Sequence, residues 1–122
     1  SPEAERSELR DLSRLAKLER LRALDLSRTP INAKGLEAVA RIPRLRELRL
    51  VLARNIDDAA APVLASMKLE ALYLAGTGLT DAGLAKLHDA KSLRMLTLGS
   101  TKVTAAAVEE FRRARPDCVV IP

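Results

Sequence analysis

Residues 69–84 read Leu69-Glu70-Ala71-Leu72-Tyr73-Leu74-Ala75-Gly76-Thr77-Gly78-Leu79-Thr80-Asp81-Ala82-Gly83-Leu84. Their skeleton is Leu69-x-x-Leu72-x-Leu74-x-x-Thr77-x-Leu79. Working outward, it returns as Leu21-x-x-Leu24-x-Leu26-x-x-Thr29-x-Ile31 and as Leu93-x-x-Leu96-x-Leu98-x-x-Thr101-x-Val103. A partial copy, Leu45-x-x-Leu48-x-Leu50, lies between. The starting leucines 21, 45, 69 and 93 are each 24 residues apart. Strict periodicity at this length is the mark of an array of stacked structural units.

Each unit combines two periodicities. Leu24 and Leu26, with their equivalents, fall on one side of a short strand because successive strand residues alternate faces. Between the strand motifs, apolar residues recur at helical spacing. The sets are Leu12, Leu15, Leu18, Leu21; Leu36, Val39, Ile42, Leu45; Leu84, Leu87, Ala90, Leu93; and Val108, Phe111, Ala114. Asn32, Asp57, Thr80 and Thr104 follow the apolar anchors, and each can accept a backbone N–H bond at a helix start. The reading predicts strands near 23–27, 47–51, 71–75 and 95–99, and helices near 8–19, 33–41, 58–66, 81–89 and 105–114. The expected fold is α/β: a right-handed solenoid with a short parallel concave sheet and outer helices. Thr29, Thr77 and Thr101 are expected to point into the turns and bond the backbone of a neighbouring coil.

The second unit departs from register. After Leu50 the next apolar anchor, Ile56, arrives one residue late, and one residue is missing at Met67-Lys68. The insertion and the deletion cancel. Ala53 stands where the other units have Thr, so this unit is expected to be the least regular.

Composition bounds the class. The chain has 122 residues, 48% hydrophobic and only 2% aromatic, so Leu, Val, Ile and Ala must fill its core. Charged residues at 30% leave no apolar run long enough for a membrane span. Residues 1–30 hold no secretory h-region, which leans weakly toward the cytoplasm. The chain opens at Ser1-Pro2 without Met, as an excised or processed piece of a longer protein would. The single cysteine, Cys118, reads as a small buried hydrophobe, and no multi-Cys metal site or disulfide framework is available. A net charge of +5 permits an acidic partner without requiring one.

The Leu72–Leu84 phrase, with its Thr80-Asp81-Ala82-Gly83-Leu84 ending, resembles the bacterial leucine-rich repeats that end in Thr-Asp-x-Gly-Leu. These are similar to the ribonuclease-inhibitor-like and cysteine-containing types. Arg115-Pro116-Asp117-Cys118-Val119-Val120-Ile121 is similar to the closing phrase of such arrays, Leu-Pro-x-Cys-x-Ile, with Arg115 in place of Leu. The resemblance covers roughly residues 7–121, so residues 1–122 are read as a single domain of about four repeats plus a terminal half-coil. It implies protein recognition on the concave sheet and no catalytic or cofactor-binding residues.

Two surfaces are candidates. The strand residues that alternate with the core leucines face the concave side, and those expected to meet a protein partner are Asp25, Glu47, Arg49, Tyr73, Met95 and Thr97. Tyr and Arg are the types that most often anchor interfaces. The alternative is a basic ridge where the chain enters each strand, made of Arg20, Arg22, Arg44, Arg46, Lys68 and Arg94. It would suit an anionic surface or nucleic acid, although stacking aromatics, helix-turn-helix and phosphate-loop motifs are all lacking. A third reading makes the chain the structural end-piece of a longer array. Catalysis finds no support: His88 sits on the outer helical face, with Asp81 and Asp89 read as ordinary helix charges. No cofactor or metal is expected.

Overall fold

Leucines placed every 24 residues can share one core only if successive units lie side by side, and they do. The computed structural model describes residues 19–122. The strands are β1 (Ala23–Asp25), β2 (Glu47–Arg49), β3 (Ala71–Tyr73), β4 (Met95–Thr97) and β5 (Val119–Ile121). They form one five-stranded parallel sheet in sequence order. The helices are α1 (Ala33–Val39), α2 (Ala61–Ser66), α3 (Asp81–Lys86) and α4 (Ala105–Ala114). A 3-10 turn at Asp58–Ala60 leads into α2, and another at Leu87–Asp89 follows α3. Coils 1 to 4 begin at Leu21, Leu45, Leu69 and Leu93. The helix expected near 8–19 lies essentially outside the described residues.

Register is exact to the residue across the array. Leu24, Leu48, Leu72, Leu96 and Val120 pair in succession, forming the expected core column. Leu48, Leu72 and Leu96 are fully buried with Leu36, Val39, Leu64, Leu84 and Phe111 from the helices. Burying each leucine contributes ~1.5–3 kcal/mol. The strands are shorter than expected because the chain bends into a turn after the third residue. The cross-coil bonds nevertheless continue past the strand ends, with Leu26 N–H on Arg49 O at 2.8 Å and Arg28 N–H on Val51 O at 2.9 Å. Helix α1 stops at Val39 rather than 41 because Arg41 and Ile42 switch to three-residue bonds, onto Ala38 and Val39, just before Pro43. The terminal half-coil closes as a fifth strand.

Two polar expectations are corrected. The hydroxyls of Thr29, Thr77 and Thr101 donate to Leu26, Leu74 and Leu98 of their own coils at 2.7, 2.8 and 2.7 Å, not to a neighbour. They close the tight turn after each strand, where the carbonyl three residues back is within reach. Thr80 does not cap its own helix. Its N–H and hydroxyl both donate to the Asp58 carboxylate of the preceding coil. Asn32, Asp57 and Thr104 do cap, accepting from Gly35, Ala59 and Ala107.

The Asp58–Thr80 link repeats one coil later. Asp81 accepts the Thr104 N–H at 2.7 Å and the Thr104 hydroxyl at 2.8 Å, so it is no ordinary helix charge. These aspartates therefore form a ladder that ties the helix starts of coils 2, 3 and 4 in succession. Gly83 belongs to it, because a Cβ there would collide with Asp58 Oδ1. Desolvation alone would raise the Asp58 carboxyl's pKa. Bonds from the Thr80 hydroxyl and N–H, the Gly83 N–H and the nearby Lys86 charge outweigh it and hold the group below its usual range.

Candidate recognition surface

The sheet has two faces. One buries the leucine column against the helices; the other is covered by nothing among the described residues. On that open face, pairing places Asp25, Arg49, Tyr73, Thr97 and Ile121 in one column. Ala23, Glu47, Ala71, Met95 and Val119 form the column beside it. All six residues expected on the concave side are thus brought together in two adjacent columns.

Their contacts differ along the array. The Arg49 guanidinium carbon lies 4.8 Å from the centre of the Tyr73 ring, in cation–π range, while Arg49 Nε is 3.5 Å from the Glu47 carboxylate. Tyr73 is half-buried and Arg49 exposed. Asp25 is engaged locally. It accepts the Ser27 N–H at 2.9 Å, and the Ser27 hydroxyl in turn accepts the Val51 N–H at 3.0 Å. Hydrogen bonds from the Ser27 hydroxyl and N–H hold the Asp25 carboxyl below its usual range.

Sequence reasoning missed the far end of this face. Val119 is 62% exposed and Ile121 50%, the large exposed hydrophobics of the described chain. With Tyr73 and Met95 they make the open face apolar toward β5 and charged toward β1. The available signal was the Val-x-Ile alternation after Cys118, which continues the strand period. Cys118 is itself buried, and burial pushes its thiol pKa up.

The strand-entry positions of the basic ridge lie in one row along the backbone. Residues 22, 46, 70, 94 and 119 are linked by Arg46 N–H to Arg22 O, Glu70 N–H to Arg46 O, Arg94 N–H to Glu70 O and Val119 N–H to Arg94 O. Several of its charges are occupied. Arg46 bonds Leu45 O at 2.9 Å and lies 4.0 Å from Glu70. Arg94 bonds Lys91 O and Leu93 O and pairs with Asp117 at 2.9 Å. Arg20, Arg44 and Lys68 are exposed at its outer edge. Arg115, where earlier coils place Ile42, Met67 and Ala90, is buried and donates to Ala90 O at 2.6 Å, Leu93 O at 2.8 Å and Lys91 O at 3.3 Å. Its role is to satisfy carbonyls of the preceding coil.

On the helix side, the His88 ring meets the Phe111 ring edge-on at 5.2 Å. No group of His, Cys, Asp and Glu suited to a metal ion occurs among the described residues. Nor is any described helix long and apolar enough to cross a membrane.

The family model for the leucine-rich repeat matches residues 20–40 and 65–87. These stretches carry leucine-rich repeats, and the fold is that of a leucine-rich-repeat array. The matched stretches run from coil 1 and into coil 3, and most of the irregular second coil lies between them. No curated protein sequence matches the array. Solved structures share its fold at low identity. The leiomodin-1 actin-binding site 2 structure is 15% identical over 92% of this chain and 76% of that one, with a TM-score of 0.72. The Caenorhabditis elegans tropomodulin C-terminal domain is 14% identical over 93% and 82%, with a TM-score of 0.73. The structure of Chaetomium Mex67:Mtr2 subunits matches at 17% over 96% and 88%, with a TM-score of 0.66.

Proposed function

We propose that this array is a non-enzymatic recognition module that holds a protein partner on the open face of its sheet. One observation carries the reading: Arg49 stacked on Tyr73 at the centre of an uncovered face. Stacking orders both side chains before a partner arrives, which lowers the entropy lost on binding. Small neighbours (Ala71, Ala75, Gly99) leave room for close approach, while Met95, Val119 and Ile121 supply apolar area beside the pair. Two of the structural neighbours are titled by an actin-binding site and a two-protein assembly, which supports the same class of function here. The Thr-Asp ladder further favours the bacterial Thr-Asp-x-Gly-Leu type of repeat, and residues 1–122 are taken as one repeat domain.

The test compares surfaces against one partner protein. Tyr73→Ala is expected to weaken binding by ~1–3 kcal/mol with little change in folding. Arg49→Ala is expected to act partly through charge and to lose part of its effect at high salt. Reversing Arg20, Arg44 and Arg46 to Glu should change little. Loss of binding in the reversed variant with none in Tyr73→Ala would move recognition to the ridge and its anionic partners. If no variant has any effect, the array is a structural end-piece.

A further inference from the structure

We infer that the opposite edge of the sheet, where the chain leaves β1 and β2, carries a second site: a cleft that takes the carboxylate side chains of an acidic peptide segment. The cleft arises from the irregularity of coil 2. Between turn and apolar anchor this coil has Ala53-Arg54-Asn55-Ile56, one residue more than Thr29-Pro30-Ile31 or Thr77-Gly78-Leu79. The added length sets Arg54 and Asn55 out at the edge, both exposed. Asn55 Nδ2 reaches back to donate to Pro30 O at 3.1 Å, which fixes the wall between the two coils. The result is a cleft of about 470 Å³ lined by Arg28, Thr29, Pro30, Leu52, Arg54 and Asn55.

Its chemistry favours carboxylates. Neither Arg28 nor Arg54 pairs with a carboxylate among the described residues, unlike Arg46, Arg49 and Arg94. Two guanidiniums on one cleft offer forked donors to acidic groups. Turn sites for phosphate rely on free backbone N–H groups. Here the N–H groups of Arg28, Thr29 and Leu52 already bond Val51 O, Leu26 O and Ala75 O, so of the lining amides only Arg54 and Asn55 keep theirs without an acceptor among the described residues. Leu52 and Pro30 add apolar surface for the methylenes of a glutamate.

The turn of the repeat sets this rim. Arg28, Leu52 and Ser100 take the left-handed conformation, φ 61°, 59° and 57°, at the turn position where coil 3 has Gly76. Leu52 packs over Gly76, where a Cβ would collide with it, whereas Arg28 lines the cleft. The site does not depend on recognition by the sheet face, although Ser27 and Val51, the last residues of that face, adjoin it.

The probe is a fluorescein-labelled hexaglutamate peptide titrated into the protein and followed by anisotropy. Saturable binding is expected, weakened about fivefold or more by Arg28→Gln and by Arg54→Gln, each an exposed position. Arg20→Gln with Arg44→Gln, at the other edge, should change it less than about twofold. Inorganic pyrophosphate should compete poorly. Absence of binding, or equal losses from both edges, would overturn the proposal. So would indifference to Arg54→Gln, and strong competition by pyrophosphate would make this a phosphate site instead.

Discussion

Coils 2 and 3 occupy adjacent places in one sheet and differ in almost every residue outside the leucine pattern. Coil 3 has Gly76 at its left-handed turn position, Thr77 closing the turn and Gly83 in the helix start. Coil 2 has Leu52, Ala53 and Ala60 there, plus an extra residue. Yet the turns superpose in their bonding. Ala53 N–H meets Leu50 O at 3.0 Å just as Thr77 N–H meets Leu74 O at 3.2 Å. Leu52 and Gly76 both take positive φ, 59° and 74°. The insertion is taken up entirely after the turn, at Arg54–Asn55, and returned at Met67–Lys68 before β3 begins. A repeat array thus tolerates irregularity at its edge while the strand register and core column stay fixed, and the edge becomes free to acquire chemistry.

The largest effect that could break this equivalence is in the core. Leu48→Ala and Leu72→Ala should each cost ~2–5 kcal/mol in denaturant unfolding, because both leucines are enclosed and leave a cavity. The two losses should agree within about 1 kcal/mol. A markedly smaller loss at Leu48 would mean that coil 2 is the looser of the pair.

A smaller effect sharpens how the two coils are joined. Asp58→Ala removes the carboxylate that receives Thr80 and Gly83, at a cost of ~1–2 kcal/mol near neutral pH. Because folding lowers the Asp58 pKa, its contribution is complete above the unfolded carboxyl value of about 3.9 and is lost as pH falls through the lower folded value. Unfolding curves of the two proteins should therefore converge in acid, starting below about pH 4. A gap that stays constant would show that the carboxylate's charge has no part in the joint.

The finest distinction is local. The irregular register of coil 2 in the sequence predicts faster amide exchange over residues 51–57 than over 75–80. The bonding confines that expectation: Leu52, Ala53 and Ile56 should be as protected as Gly76, Thr77 and Gly78, with fast exchange limited to Arg54, Asn55 and Asp57. Uniform loss of protection across 51–57 would restore the broader expectation.

The repeat length, strand positions, core column and open-face residues were legible because side-chain alternation and a 24-residue period leave one way to bury the leucines together. What escaped was set by contacts between coils. Thr80 reads as an N-cap in isolation, but Asp58 of the preceding coil reaches its hydroxyl and N–H first. Arg28 and Arg54 are unremarkable surface residues until the insertion folds them to one cleft. Ile121 reads as the tail of a closing phrase until β5 pairs with β4 and extends the Arg49–Tyr73 column.

That column makes recognition on the open sheet face directly measurable. Hydroxyl-radical footprinting reads Met and Tyr oxidation, and Tyr73 and Met95 both stand on this face, whereas His88 lies on the helix side against Phe111. Partner binding should protect Tyr73 and Met95 strongly and leave His88 unchanged. Protection of His88, or undiminished oxidation of Tyr73 and Met95 in a saturated complex, would contradict it.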